Sequence, residues 1–181
     1  MHESPLVYKP AARFLHWLMA LLVIATIPIG VTMLQPGLSR GVQDTLFILH
    51  KNGGVVILLL LLARIAYRIA NPPPPLPAHV PHSQRLMAEA VHLALYALLL
   101  IMAVSGFVRV SAGGFPIEAL DALGLPRLPK SEAVAAFAKA VHANARYALV
   151  ALMLAHIGAA LYHGLVRKDG VLARMWPARR G

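Results

Sequence analysis

The chain has 181 residues, of which 59% are hydrophobic and only 13% charged, and its formal net charge is +10. That balance excludes an ordinary water-soluble domain. The lack of cysteine excludes disulfides, thiolate-held iron–sulfur clusters and haem attached through a Cys-x-x-Cys-His motif, which leaves imidazole, carboxylate and carbonyl groups as metal ligands.

The first apolar stretch, roughly 13–34, follows Lys9 and Arg13 as the apolar core of a secretory signal would. It is too long for one, contains His16 and offers no small-x-small cleavage site at Thr32-Met33-Leu34-Gln35, so it reads as a retained helix. Pro28 within it predicts a local kink. The second stretch, roughly 46–69, holds His50 near its start and stops at Asn71-Pro72-Pro73-Pro74-Pro75-Leu76-Pro77, a stiff extended connector to which His79 and His82 belong. The third, roughly 86–110, holds His92. Residues 111–136 form the longest loop, and its run Ile117-Glu118-Ala119-Leu120-Asp121-Ala122-Leu123 predicts a short helix lying in the outer interface. The fourth stretch, roughly 137–166, holds His142, His156 and His163.

Each stretch has about the ~20 apolar residues that cross a bilayer. The expected fold is therefore an all-α membrane protein, one four-helix transmembrane domain over residues 1–181 with both termini on one side. The side with the termini and the polyproline connector carries ten of the 17 Lys and Arg residues, Arg179 and Arg180 among them, and the positive-inside rule makes it cytoplasmic. This positive charge suits anionic lipid headgroups and gives no reason to expect nucleic acid.

Histidine in a bilayer needs a partner, and six of the nine lie inside the apolar runs: His16, His50, His92, His142 and His156, with His163 close to the end of the fourth. In the fourth helix His142, His156 and His163 are separated by 14 and then 7 residues, close to whole turns, so they project from one stripe. The first interval spans about 21 Å, most of the hydrocarbon thickness. Following each helix through the membrane puts His50 and His142 near the outer surface, and His16, His92 and His156 near the inner one. Two facing imidazoles at each depth suit two b-type haems, His16 with His156 and His50 with His142. With both axial positions filled, such haems pass single electrons and do no substrate chemistry at iron. Gly53, Gly54 and Gly158 offer close approach for the macrocycles. On spacing alone, His92 or His163 could replace an inner ligand, serve a neighbouring site or anchor the interface.

Arg13-x-x-His16-Trp17, His50-x-x-Gly53, His92, the His142–His156 interval and His163 followed by Lys168-Asp169-Gly170 and Arg174-Met175-Trp176-Pro177 together resemble the bacterial cytochrome b561 family. The resemblance covers nearly the whole chain. It implies a four-helix dihaem protein of the cytoplasmic (inner) membrane that exchanges electrons with quinone, and some members are described as oxidising superoxide outside and reducing ubiquinone. It gives His16 and His156 to the inner haem, His50 and His142 to the outer one, and puts His92 and His163 beside the inner haem and quinone. Histidines there could relay the two protons that quinone reduction requires. Lys51, with the other basic residues of the outer face, would attract a small anion such as superoxide.

Two other functions fit parts of the pattern. A haem subunit feeding a dehydrogenase or hydrogenase into the quinone pool would share the bundle and its ligands. A haem-free transporter of protons or divalent metals would also use imidazoles, and would be colourless.

Overall fold

The computed structural model describes residues 7–176, so Pro177, Arg179 and Arg180 lie outside the described residues. Four long helices carry the fold: α1 (Pro10–Thr32), α2 (Arg40–Ala70), α3 (His82–Ala112) and α5 (Glu132–Leu161), with the short α4 (Glu118–Ala122) between the last two. Each long helix has the length and apolar composition to cross a membrane. No strand occurs among the described residues. The chain is all-α, as its composition implies.

Sequence chemistry explains the helix ends. Pro10 occupies the first turn of α1, where its missing N–H costs nothing, and the helix then runs unbroken through Pro28. Ser39 and Ser131 cap α2 and α5 by accepting hydrogen bonds from Val42 N–H and Val134 N–H. All four spans begin earlier than the apolar stretches do, because polar first turns such as Arg40–Asp44 remain helical beyond the hydrophobic run. His82 is accordingly the first residue of α3 and not part of the connector. The fourth span continues past α5 as a π-helical turn, Tyr162–Arg167, and stops at Lys168, which has a left-handed backbone with φ of 50°.

Packing runs from α1 to α2, from α2 to α3 and from α3 to α5. Extensive contact is lacking between α5 and either α1 or α2. The buried interior is correspondingly thin, built on Met19 and Val23 of α1, Ile57 and Leu61 of α2, Ser105 of α3, and Ala138 and Leu149 of α5. Few other span residues are fully buried.

Side chains from one end of the bundle to the polyproline connector make a cap. The C-terminal segment lies across the start of α1: Tyr8 N–H donates to the Arg174 carbonyl, the Arg13 guanidinium to the Trp176 carbonyl at 3.0 Å, and the Trp17 indole to the Met175 carbonyl at 2.9 Å. Arg174, 5% exposed, donates to the carbonyls of Pro74 and Pro75 at 2.6 and 2.8 Å. Its pKa is lowered by burial against the attraction of Tyr8. Arg85 serves Pro77, Ala78 and Val80 in the same way. A proline-rich segment forms no backbone ladder of its own, and these guanidiniums satisfy its carbonyls.

At the opposite end α4 is fixed to α2. Lys51 Nζ donates to Glu118 Oε1 and to the Pro116 carbonyl, both at 2.7 Å, while Asn52 Nδ2 donates to Glu118 Oε2 at 2.7 Å. Asn52 Oδ1 in turn accepts from Ala119 N–H at 2.9 Å. Burial opposes ionisation of Glu118, but donors from Lys51, its own backbone and Asn52 outweigh it and hold the pKa below the usual carboxylate range.

Candidate functional site

Two imidazole clusters occupy opposite ends of the bundle. Near the capped end, His16 of α1 and His156 of α5 have ring centroids 6.2 Å apart with planes at 75°. Near the α4 end, His50 of α2 and His142 of α5 have centroids also 6.2 Å apart, at 85°. Both pairs join helices that do not otherwise pack extensively on each other. His92 of α3 approaches His156 more closely, at 5.3 Å, so the capped end holds three imidazoles.

The equal spacing has a simple reading. Metal–nitrogen bonds of about 2.0 Å, with about 1.1 Å from each nitrogen to its ring centre, put two imidazoles on one metal roughly 6.2 Å apart. Among the described residues no group of three or more His, Cys, Asp or Glu side chains is arranged to hold a bare metal ion. Two protein ligands per site suit a metal whose remaining positions come from a macrocycle.

The surroundings aim the rings. His142 Nδ1 lies 2.9 Å from the Met102 carbonyl and 3.2 Å from Ser105 Oγ, so Nδ1–H donates to the backbone and leaves Nε2 free. Among the described residues His50 Nδ1 is buried with no hydrogen-bond partner, the Thr26 backbone lying alongside without meeting bonding geometry. Gly30 explains this tight seat: a Cβ there would stand 2.7 Å from His50 Cε1 and 3.0 Å from Nδ1. Gly106 does the same for His142, with a Cβ 3.2 Å from Cε1. His16 Nδ1 faces Arg64 Nη2 at 3.4 Å. These features fit bis-imidazole ligation of a b-type haem.

The glycines expected to give room, Gly53, Gly54 and Gly158, have space beside them. A Cβ on Gly54 or Gly158 would meet open space, and one on Gly53 would make ordinary contact with Thr26 Oγ1 at 3.6 Å. The glycines against the imidazoles are Gly30 and Gly106, on the helices facing the ligands, where sequence distance from the histidines hid them. Their depth in α1 and α3 was the available signal.

Comparison with known proteins follows the same line. The family model for prokaryotic cytochrome b561 matches residues 7–178. The chain belongs to the prokaryotic cytochrome b561 family. Among its relatives, cytochrome b561 homolog 2 of Escherichia coli (strain K12) is 34% identical over 175 residues, 96% of this chain and 93% of the relative. Cytochrome b561 homolog 1 of the same strain is 30% identical over 92% of this chain and 95% of its own length. The probable superoxide oxidase CybB of Yersinia pestis is 32% identical over 92% and 94%. The chain is thus a bacterial multi-pass membrane protein of a cytochrome family that transfers electrons, carries b-type haem and interacts with quinones.

The remaining residues singled out in this cytochrome b561 are held by other partners. His163 does not join the imidazole cluster: its Nδ1 lies 2.6 Å from Asp169 Oδ2, across the π-helical turn. Burial works against the Asp169 charge, but donation from His163 and from Val171 N–H holds its pKa below the usual carboxylate range. Lys51 is only 13% exposed at its side chain and is engaged by Glu118. It is not a free cation.

Proposed function

We propose that this cytochrome b561 is a dihaem electron carrier of the bacterial inner membrane, with both termini cytoplasmic, that oxidises superoxide to dioxygen at its outer end and reduces ubiquinone at its inner end. The observation that carries the reading is the pair of equal 6.2 Å imidazole spacings at opposite ends of the bundle. His16 and His156 would hold the inner haem, and His50 and His142 the outer one. The 5.3 Å separation of His92 from His156 is short for two ligands on one metal, which favours His16 as the inner ligand. The haems would supply one-electron transfer between the two surfaces.

The chain's own groups have complementary roles. Each superoxide gives up one electron and leaves as dioxygen, and two such electrons with two protons convert quinone to quinol. His163, donating from Nδ1 to the Asp169 carboxylate, keeps Nε2 available to a quinone oxygen and can pass on a proton, with Asp169 stabilising the charged ring. His92 would orient the quinone from the other side of His156. At the outer end, Lys51 and Asn52 hold α4 beside His50 and so shape the superoxide approach through Glu118. The name of the Yersinia pestis relative supports superoxide as the donor.

Optical spectra of the detergent-purified protein test this directly, with haem quantified per chain. Two b-type haems, reduced by superoxide and reoxidised by ubiquinone, are the expected result. Two haems indifferent to superoxide would instead turn the search to a dehydrogenase or hydrogenase partner, and a protein purified with full haem-binding conditions yet colourless would reject the reading.

A further inference from the structure

Four arginines flank the two imidazole sites, two at each, and none forms an ion pair among the described residues, where acidic partners go to Arg40, Lys51, Arg127 and His163. At the capped end, Arg64 and Arg68 are four residues apart and share a face of α2. Their guanidinium carbons lie 5.9 and 5.8 Å from the centre of the same Tyr96 ring. Two like charges thus stand over one aromatic side chain with no carboxylate between them. Arg64 donates to the Ala12 carbonyl at 2.9 Å and its Nη2 stands 3.4 Å from His16 Nδ1, while Arg68 makes no hydrogen bond among the described residues.

The other end repeats the arrangement from different helices. Arg109 of α3 follows Gly106, the residue against the His142 ring, by about one turn, and Arg146 of α5 follows His142 itself by about one turn. Arg146 donates from Nη2 to the Tyr147 hydroxyl at 2.7 Å, yet its Nε is buried with no partner among the described residues. Arg109 donates no side-chain hydrogen bond among the described residues. Half-buried cations on membrane-spanning helices are costly without an anion, and a buried guanidinium N–H without an acceptor adds to that cost.

An anion with two negative groups on one edge would answer both ends. Haem b has that shape: two propionate carboxylates extend from one side of the ring. The geometry points to Arg64 with Arg68, and Arg109 with Arg146, as the guanidiniums that bind the propionate carboxylates of the haem at each site. This rests on the dihaem reading above. Planar guanidinium groups match carboxylates through paired N–H donors, which a lysine ammonium does not reproduce.

The test separates carboxylate binding from folding. Apo-protein made in haem-deficient cells is titrated with haem b and, in parallel, with haem b dimethyl ester, whose propionates carry no charge. Arg68→Gln and Arg109→Gln are each expected to weaken uptake of free-acid haem at their own site by about tenfold while leaving ester uptake at the wild-type level. Arg68→Lys and Arg109→Lys should recover part of the loss. Equal weakening with both haem forms, as a purely structural arginine would give, overturns the proposal; so does unchanged uptake of both, as an arginine on a lipid phosphate would give. Failure of the dihaem reading would show separately, in the wild-type stoichiometry, and would remove the arginine assignment at whichever end takes up no haem.

Discussion

Gly30 of α1 and His50 of α2 are in contact so close that a single methyl group on residue 30 would stand 2.7 Å from the imidazole. Real Cβ atoms do not approach that near, so Gly30→Ala forces the ring to turn or α1 to retreat. We expect Gly30→Ala to lose or shift the outer haem signal while the inner one persists. Gly106→Ala, with its 3.2 Å approach to His142, should give the same effect more mildly. Redox-resolved optical spectra of the two variants check this, and a Gly30→Ala protein with wild-type spectra would remove the claim that this glycine seats the ligand.

Ligand removal should sort by end of the bundle. His50→Ala or His142→Ala is expected to lose the outer haem and keep the inner one; His16→Ala or His156→Ala should do the reverse. His92→Ala should keep both. Haem content per chain decides, and equal loss of both haems in a folded variant counts against the pairing.

The His163–Asp169 contact of 2.6 Å makes Asp169→Asn informative. An amide cannot stabilise a charged imidazole, so quinone reduction should slow by one to two orders of magnitude, on the order of 10²-fold for lost general acid–base help. Haem spectra should not change. Stopped-flow reoxidation by a soluble quinone measures the rate, and an unaltered rate would exclude this pair from proton delivery.

Acid should release α4. Glu118 has a pKa held below its ordinary value of 4.5, so its bonds to Lys51 and Asn52 contribute stability in full above that value, and the contribution is lost as pH falls through the lower folded value. Hydrogen exchange of residues 117–122 is expected to rise only below about pH 4.5, and Glu118→Gln should show raised exchange already at neutral pH. The same variant frees Lys51 and should quicken the encounter with superoxide at low salt. Exchange insensitive to both acid and substitution would mean the latch contributes nothing.

Arg174→Ala removes a buried guanidinium from the Pro74 and Pro75 carbonyls and should lower stability by about 2–3 kcal/mol. Thermal unfolding followed by haem absorbance provides the measurement. An unshifted midpoint would show that the cap is held without the Arg174 guanidinium.

Much of this protein can be read from its residues because its two strongest signals are local. Span length follows from apolar run length, and the depth of a histidine follows from its position along the run, so the groupings of His50 with His142 and of His16, His92 and His156 are visible in one dimension. Contacts between distant segments are not. Lys51 reads as a free outer cation until Glu118, 67 residues away, is found against it. Gly53, Gly54 and Gly158 attract notice because they neighbour histidines in sequence, whereas Gly30 and Gly106 touch them across helices. The π-helical turn at Tyr162–Arg167 has no sequence period that would announce it. Arg64, Arg68, Arg109 and Arg146 count only as topological charge until Tyr96 and the imidazoles are seen beside them.

Both imidazole pairs draw one partner from α5, the last long helix to leave the ribosome. During biosynthesis α1 and α2 therefore wait in the bilayer with His16 and His50 uncompleted, and no two-sided seat exists at either end until α5 arrives. On the proposed ligation, cofactor capture at the two ends is tied to a single late insertion event, and a chain stalled before Glu132 is expected to be membrane-embedded and colourless.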